Sequence, residues 1–235
     1  IIDTDIGNST DDLLALQAAF AFQSKGWCEI KGVISSRGTE PVQRLADCLL
    51  HYYHADNIPL GINRSDESFF EIVPYYQLAD ALDEKGRLLM EGTGIPLSER
   101  LDGPELYRKL LSEAPDHSIT IVCIGFTTNI SALLGSGPDK YSPLNGVELV
   151  RNKVKALHLM GCCFGKVKQR YSIELLDVEY NILGDIPAAR ELFDKWPVEI
   201  HVFPVEGGLL FPSDHDEVLS DYNWQQDNPI YQVYF

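Results

Sequence analysis

Apolar residues recur along the chain in short runs that alternate with stretches of helical spacing. Ile1-Ile2 begins a buried strand, a polar turn follows at Asp5-Ile6-Gly7-Asn8, and the apolar positions from Leu13 to Phe22 have helical periodicity. Ser9 or Thr10 is a suitable N-cap for this helix. The opening of the chain is therefore predicted to be a strand, a loop and a helix.

The same alternation continues and predicts the fold class. Further strands are predicted at 30–34, 58–62, 118–124, 155–160 and 198–203, and helices at 41–54, 104–113, about 129–134 and after Asp185. Strands separated by helices indicate βαβ units and a parallel sheet. We predict an α/β fold with a mostly parallel sheet and helices on both faces.

Two segments lack a clear pattern. Residues 63–102 have no sustained periodicity, and a loop of this length is a candidate rim or lid of a site, although a plain surface excursion fits equally well. Residues 204–228 are predicted to be irregular, and the apolar run from Pro229 stops at Phe235. We expect a single domain over 1–235 that is cut at its C-terminal end.

Composition excludes several partner classes. The formal charge is -16 and the pI about 4.6, which argues against nucleic acid or an anionic membrane as partner. No apolar run approaches the roughly 18 residues of a membrane span. No signal-peptide pattern opens the chain, which starts without Met and inside a strand, so its compartment stays open. The five cysteines are expected mostly as buried core residues.

Four aspartates near the N-terminus are the strongest candidate chemistry. The pattern places Asp3 and Asp5 at the carboxyl end of a strand, and Asp11 and Asp12 in the first turn of the helix. Ligands bind at that edge of open α/β sheets. Clustered carboxylates repel unless solvent or a cation compensates them, and Ca²⁺ prefers such oxygen ligands. An ordinary turn followed by a favourably charged helix start is the alternative.

Three stretches together resemble the inosine-uridine preferring nucleoside hydrolases. The opening is similar to the family's Asp-x-Asp-x-Gly-x-Asp-Asp signature, with two extra residues before Asp11-Asp12. Gly125-Phe126-Thr127-Thr128-Asn129 resembles its Gly-Pro-Leu-Thr-Asn turn. Met160-Gly161 and Glu179-Tyr180-Asn181, followed by Asp185, resemble its Met-Gly-Gly and Glu-Phe-Asn segments. The resemblance implies a Rossmann-like nucleoside hydrolase fold.

The resemblance also implies a metal centre. Asp5 and Asp12 would be carboxylate ligands of Ca²⁺, and the backbone carbonyl of Thr128 would be another ligand. Asp11 would be the general base beside a metal-bound water. Asp3 would support the cluster and is grouped with the substrate-binding residues.

Substrate contacts and reaction follow from the same resemblance. Glu179 and Asn181 would hydrogen-bond the ribose hydroxyls, and Met160 would also lie at the substrate. The predicted function is Ca²⁺-dependent hydrolysis of the N-glycosidic bond of ribonucleosides to ribose and free base, in purine or pyrimidine salvage. The expected partner is a small-molecule ribonucleoside, and a homo-oligomer is compatible with the sequence.

Several positions depart from the family pattern. The loop after Gly7 is longer, and Ser35-Ser36-Arg37 replaces an Asn expected after the second strand. A further Asn is missing from Ile173-Glu174-Leu175-Leu176. The late Asp ligand of the family is also absent. We expect that the native protein continues past Phe235 to this ligand; the alternative is that His215-Asp216 or Asp227 replaces it, although Asp214-His215-Asp216 is better interpreted as a polar turn or helix start.

Two alternative functions remain open. The first is a catalytically impaired nucleoside- or sugar-binding protein of the same fold, because several sugar contacts and the late Asp are missing. The second is a Mg²⁺-dependent phosphohydrolase with Asp3 as nucleophile and Asp5 as acid, because Asp-x-Asp at a strand end also suits phosphoryl transfer.

Overall fold

Six parallel strands organise the fold. The computed structural model of the chain describes residues 1–7, 9–65, 75–83, 85–165, 179–210 and 214–234. The strands are β1 (Ile2–Thr4), β2 (Val33–Ser35), β3 (Leu60–Gly61), β4 (Ile119–Cys123), β5 (Val154–Met160) and β6 (Glu199–Phe203). They are hydrogen-bonded in the order β3-β2-β1-β4-β5-β6. The predicted α/β class with a parallel sheet is confirmed.

The chain divides into two compact units, and the division falls within β1. The first unit contains Ile1–Asp3 and Pro104–Pro212, and the second contains Thr4–Gly103 and Ser213–Phe235. The interpretation of 1–235 as a single domain stays a prediction.

In the first unit, β1, β4, β5 and β6 are neighbours in parallel register. Ile2 pairs with Val122, and Leu157 pairs with both Ile121 and Ile200. The helices of this unit are α3 (Gly103–Glu113), α4 (Thr128–Gly135), α5 (Gly146–Lys153), α6 (Tyr180–Gly184), α7 (Ile186–Lys195) and α8 (Val205–Leu209). Buried aliphatic side chains of β4 and β5 form its core, as expected for strands of a parallel sheet.

In the second unit, β2 pairs with β3, and Ser36 after β2 donates from its backbone nitrogen to the Thr4 carbonyl oxygen at 2.9 Å. Its helices are α1 (Thr10–Ser24), α2 (Glu40–Tyr52), α9 (His215–Tyr222) and α10 (Pro229–Tyr234), with short 3₁₀ segments at Tyr75–Asp80 and Leu97–Glu99. Helix α1 buries Leu13, Leu16 and Phe20 at helical spacing, which explains its apolar pattern.

The structure corrects the prediction for the C-terminal region, which contains two helices instead of irregular chain, and it shows two further helices elsewhere. Residues 205–209 and 215–222 are helical rather than irregular. Asp214 caps α9 by accepting from the backbone nitrogens of Asp216 at 3.0 Å and Glu217 at 3.1 Å, so the interpretation of this triplet as a helix start is confirmed. Helices α5 and α6 were not predicted.

The cysteines only partly follow the prediction. Cys48 and Cys123 are buried core residues, Cys162 and Cys163 are half-buried, and Cys28 is exposed; none of these five described residues forms a disulfide bond. The prediction is wrong for Cys28, which follows α1 at the surface. No helix within the described residues has both the length and the apolar character needed to span a membrane.

Candidate active site

The loop after β1 and the first turn of α1 together carry three of the four predicted aspartates. We call the described residues from Asp5 to Asp12 the acid loop. Asp5 and Asp12 are buried, with 3% and 4% of their surface exposed, whereas Asp11 is exposed. The Thr4 hydroxyl donates to Asp12 Oδ1. The loop thus places two carboxylates inside the second unit.

Burial and like charge act together on Asp12. Desolvation raises its pKa well above the usual value, and the charges of Asp5 and Asp11 raise it further, while the hydrogen bond from Thr4 opposes the shift. Asp5 and Asp11 therefore both lie within electrostatic range of Asp12.

The donor chemistry of the acid loop fits a hard divalent cation. Carboxylate oxygens are the ligands that such ions prefer, and a cation would offset the repulsion that raises the pKa of Asp12. Among the residues that the structure describes, no group of three or more His, Cys, Asp and Glu side chains is arranged to hold a metal ion. Asp5 and Asp12 thus supply two candidate ligands.

The predicted N-cap serves the acid loop instead of the helix. Ser9 occupies the N-cap position of α1, but its side chain makes no capping hydrogen bond. Its hydroxyl donates to Oδ1 of Asp11, and its carbonyl oxygen accepts from the hydroxyl of Tyr75. Tyr75 belongs to the segment predicted as a rim or lid, but its contact with the loop was not predicted.

Asp3 is anchored separately, within the first unit. Its carboxylate is fully buried and accepts from the Tyr107 hydroxyl at 3.0 Å and from Asn129 Nδ2 at 3.3 and 3.4 Å. Burial and the Asp3 charge raise the pKa of Tyr107, which keeps that hydroxyl a donor. Asn129 belongs to the motif after β4, but neither its contact with Asp3 nor that of Tyr107 was predicted.

Thr128 begins α4, which follows the motif turn after β4. Its hydroxyl donates to Asp185 Oδ2 at 2.8 Å, and Asp185 also caps α7 through the backbone nitrogen of Ala188 at 3.0 Å. The neighbouring Thr127 is buried, and its hydroxyl has no hydrogen-bond partner among the described residues. The role of the Thr128 carbonyl as a metal ligand stays a prediction.

The predicted substrate residues Met160, Glu179 and Asn181 converge in the first unit. Asn181 Nδ2 lies 3.0 Å from the Ile124 carbonyl oxygen, 3.2 Å from the Met160 carbonyl oxygen and 3.2 Å from Met160 Sδ. These contacts join the carboxyl ends of β4 and β5, because the two carbonyls follow or end those strands. Asn181 is therefore held at the sheet edge where ligands bind in α/β proteins.

Glu179 is the N-cap of α6. Its carboxylate accepts from the backbone nitrogens of Asn181 at 2.8 Å, Ile182 at 3.0 Å and Cys162 at 3.2 Å. Burial raises the pKa of Glu179, while these N–H bonds oppose the shift. The carboxylate is thus fixed in position by the chain around it.

The structure describes only some of the departures from the family pattern. Arg37 is buried, and its carbonyl oxygen accepts from Ser35 Oγ at 3.2 Å and Gln43 Nε2 at 3.1 Å. The missing Asn within 173–176 and residue 8 of the longer loop lie outside the described residues.

A comparison with known protein families finds a match over nearly the whole chain. The family model described as inosine-uridine preferring nucleoside hydrolase matches residues 1–231. No curated protein sequence matches the chain.

Solved structures share the fold at low sequence identity. The type III effector protein XopQ, solved in complex with adenosine diphosphate ribose, is 19% identical with a TM-score of 0.70; the match covers 99% of this chain and 62% of XopQ. The plant nucleoside hydrolase PpNRh1 is 20% identical with a TM-score of 0.68, over 99% of this chain and 70% of that enzyme. The purine-preferring ribonucleoside hydrolase from Gardnerella vaginalis is 17% identical with a TM-score of 0.68, and the match covers 98% of this chain and 68% of that enzyme. The chain thus spans about 62% to 70% of the length of these proteins.

Proposed function

The chain belongs to the inosine-uridine preferring nucleoside hydrolase family, and from this premise we propose that it hydrolyses the N-glycosidic bond of ribonucleosides. The observation that carries the proposal is the acid loop, in which Asp5 and Asp12 are buried beside the like charge of Asp11. Family membership favours this reaction over the Mg²⁺-dependent phosphohydrolase alternative.

We propose Ca²⁺ as the ion that Asp5 and Asp12 hold. Both residues offer buried carboxylate oxygens, and the repulsion that raises the pKa of Asp12 favours a cation there. Bound Ca²⁺ would supply positive charge that polarises water and fixes sugar hydroxyls. Thr128 is proposed as a further ligand through its carbonyl.

Asp11 is proposed as the general base. Its carboxylate is exposed in the first turn of α1, so water and substrate can reach it. As the water oxygen bonds to the anomeric carbon and the C–N bond breaks, Asp11 would take the proton of the water and the base would leave with the bonding electrons. A positioned base contributes about 10²- to 10⁴-fold to such a step.

The acidic character of the acid loop suits the charge that develops on the sugar. Glycosidic cleavage builds oxocarbenium-like positive charge on the ribose, and carboxylates stabilise it. Glu179, Asn181 and Met160 are proposed to contact the ribose, which their convergence at the ends of β4 and β5 supports. Asp3, held by Tyr107 and Asn129, is proposed to support the site.

A sugar-binding role without turnover is the second candidate. The observation that favours it is the hydrogen bond from Ser9 Oγ to Asp11 Oδ1, which engages one oxygen of the proposed base. The binding residues would be the same, so only turnover separates the two candidates.

Ribose release separates the candidates. The protein is incubated with inosine and with uridine, in Ca²⁺ and in EDTA, and binding of each nucleoside is measured in parallel. Turnover that needs Ca²⁺, and that falls at least about 100-fold in Asp11→Asn with binding retained, supports hydrolysis. Asp221→Asn is the matched control, because this exposed aspartate lies on α9. Binding of the nucleosides without ribose release would contradict hydrolysis and establish the binding role.

A further inference from the structure

Tyr75 contacts the acid loop from a distant part of the sequence. Its hydroxyl donates to the carbonyl oxygen of Ser9 and accepts from the backbone N–H of Gly7. The contact with Gly7 precedes the stretch 8–10 that lengthens this loop, and the contact with Ser9 lies within that stretch. A single side chain therefore ties together the two halves of the loop between Asp5 and Asp12.

The segment that carries Tyr75 is itself anchored. It continues as the 3₁₀ segment Tyr75–Asp80, in which Leu78 and Ala79 are buried. Asp80 forms an ion pair with Arg44 of α2, with 2.6 Å between Oδ1 and Nη1. Tyr75 thus extends from a segment that is anchored to α2, and from there its hydroxyl contacts the acid loop.

The acid loop needs such support. Gly7 has a φ of 110°, a conformation that residues with an L side chain rarely adopt. Glycine has more backbone freedom than other residues, so this position gives the loop little rigidity of its own. Each additional loop residue adds conformational freedom that must be lost when a ligand is bound. A loop already ordered before the cation arrives binds it with a smaller entropic cost.

The environment keeps the Tyr75 hydroxyl protonated. Burial raises its pKa, and the charges of Asp12, Asp11 and Asp5 raise it further. The hydroxyl therefore remains a hydrogen-bond donor to the Ser9 carbonyl throughout the neutral pH range. It also lies within electrostatic range of all three carboxylates of the loop.

We propose that Tyr75 is a positioning residue of the cation site, whose hydroxyl orders the lengthened acid loop so that Asp5 and Asp12 are preorganised for the ion. This inference rests on the proposed function in that it takes the acid loop as the cation site. Tyr75 acts through the Gly7 and Ser9 backbone, without contact to the ion or substrate.

The test compares Ca²⁺ affinity in two tyrosine variants of the full chain. Tyr75→Phe removes only the hydroxyl, and the loss of one net hydrogen bond predicts about three- to tenfold weaker Ca²⁺ binding by isothermal titration calorimetry. Tyr53→Phe is the matched control, because its part-buried hydroxyl donates to Gln17 Oε1 at 3.2 Å in the same unit, away from the acid loop. The control should bind Ca²⁺ as the wild type does.

Two further readouts separate positioning from general stability. In EDTA the melting temperatures of Tyr75→Phe and Tyr53→Phe should be similar, whereas in Ca²⁺ only Tyr75→Phe should gain less stability than the wild type. Tyr75→His keeps a ring N–H donor and should recover part of the affinity, which also guards against a Phe variant that folds poorly.

The outcomes distinguish this inference from the proposed hydrolysis. Equal Ca²⁺ affinity in the wild type and Tyr75→Phe overturns the positioning role, and so does a wild-type protein that binds no Ca²⁺. A protein that binds Ca²⁺ but releases no ribose contradicts hydrolysis alone, because the affinity ratio of the two variants still decides the role of Tyr75.

Discussion

The hydroxyl of Thr4 donates a hydrogen bond to Oδ1 of Asp12, eight residues later in the chain and inside the buried part of the second unit. The contact connects the end of β1 to the first turn of α1, so it fixes both ends of the acid loop. The backbone nitrogen of Ile6 in turn donates to Thr4 Oγ1 at 3.2 Å. Thr4 thereby stabilises the ionised form of Asp12 against burial and against its acidic neighbours.

Thr4→Val should destabilise the protein. The substitution preserves shape but leaves a buried carboxylate without its hydroxyl donor, which costs about 1–3 kcal/mol in the free energy of unfolding. Urea denaturation measures the change. Thr4→Ser keeps the hydroxyl and should lose less stability; a loss in Thr4→Ser as large as that in Thr4→Val would contradict a stabilising role of the hydroxyl.

Tyr107→Phe tests the buried anchor of Asp3. The Tyr107 hydroxyl donates to Asp3 Oδ2 at 3.0 Å, and both residues are fully buried. Its removal should cost about 1.5–3 kcal/mol, as expected for a hydrogen bond to a charged group. The measurement is the free energy of unfolding in urea.

Tyr141→Phe is the matched control for that variant. Its hydroxyl also lies 3.0 Å from a carboxylate, Oε1 of Glu105, but solvent reaches the pair. Water can replace the lost hydrogen bond, so the expected decrease in the free energy of unfolding is smaller, below about 1 kcal/mol. If the two variants lose equal stability, burial is not what gives the Asp3 contact its strength.

The contacts that the sequence did not predict are the ones that join distant residues. Tyr107 is 104 residues from Asp3, and Tyr75 is 66 residues from Ser9. Periodicity and capping act over a few residues, so they predict β1, α1 and the position of Asp12 but carry no signal for such pairs. Asp3, Asp5 and Asp12 were found because they lie within one local motif.

The missed helices have a different explanation. Helix α5 begins with a capping box, in which Asn145 accepts from the Glu148 backbone and Glu148 from the Asn145 backbone. Asp214 and Glu217 have the same spacing at the start of α9. This local signal was present in the sequence, but the helices are short and weakly apolar, so hydrophobic periodicity alone did not reveal them.

Gly184→Ala should disturb the packing beneath the proposed sugar contacts. A Cβ at this position would lie 2.5 Å from ring atoms of Phe126, in the turn after β4. The overlap forces the ring or α6 to move, at a cost of about 1–3 kcal/mol. Thermal unfolding measures the loss. Gly137→Ala is the control, since a Cβ there meets nothing within 4 Å and should leave the melting temperature nearly unchanged.

The Arg108–Asp139 ion pair should contribute to acid denaturation. Hydrogen bonds from the Arg108 guanidinium lower the pKa of Asp139 from 3.8 to about 2. A lowered carboxyl pKa stabilises the folded state above the unfolded value, and this contribution is lost as the pH falls from 3.8 towards 2. The free energy of unfolding, measured by urea denaturation, should fall less steeply with decreasing pH in Asp139→Asn than in the wild type. Asp194→Asn, at an exposed position, is the control and should follow the wild type. The same pH dependence in Asp139→Asn and the wild type would contradict a contribution of this ion pair to acid denaturation.

Asp12→Asn should stabilise the protein in the absence of Ca²⁺ and abolish the gain in stability that Ca²⁺ gives. In the folded protein without a cation, burial and the charges of Asp5 and Asp11 raise the pKa of Asp12, so its ionised form destabilises the fold at neutral pH. Asn keeps an oxygen that accepts from Thr4 but removes the charge, so in EDTA the variant should melt above the wild type. In Ca²⁺ at 100 times the dissociation constant the wild type should gain about 2.7 kcal/mol, a gain that the variant should lose. Asp194→Asn, a change at an exposed position of α7, should follow the wild type in both conditions. A variant that melts below the wild type in EDTA would show that Asp12 is stabilising without a cation, which contradicts the charge repulsion on which the cation site is argued.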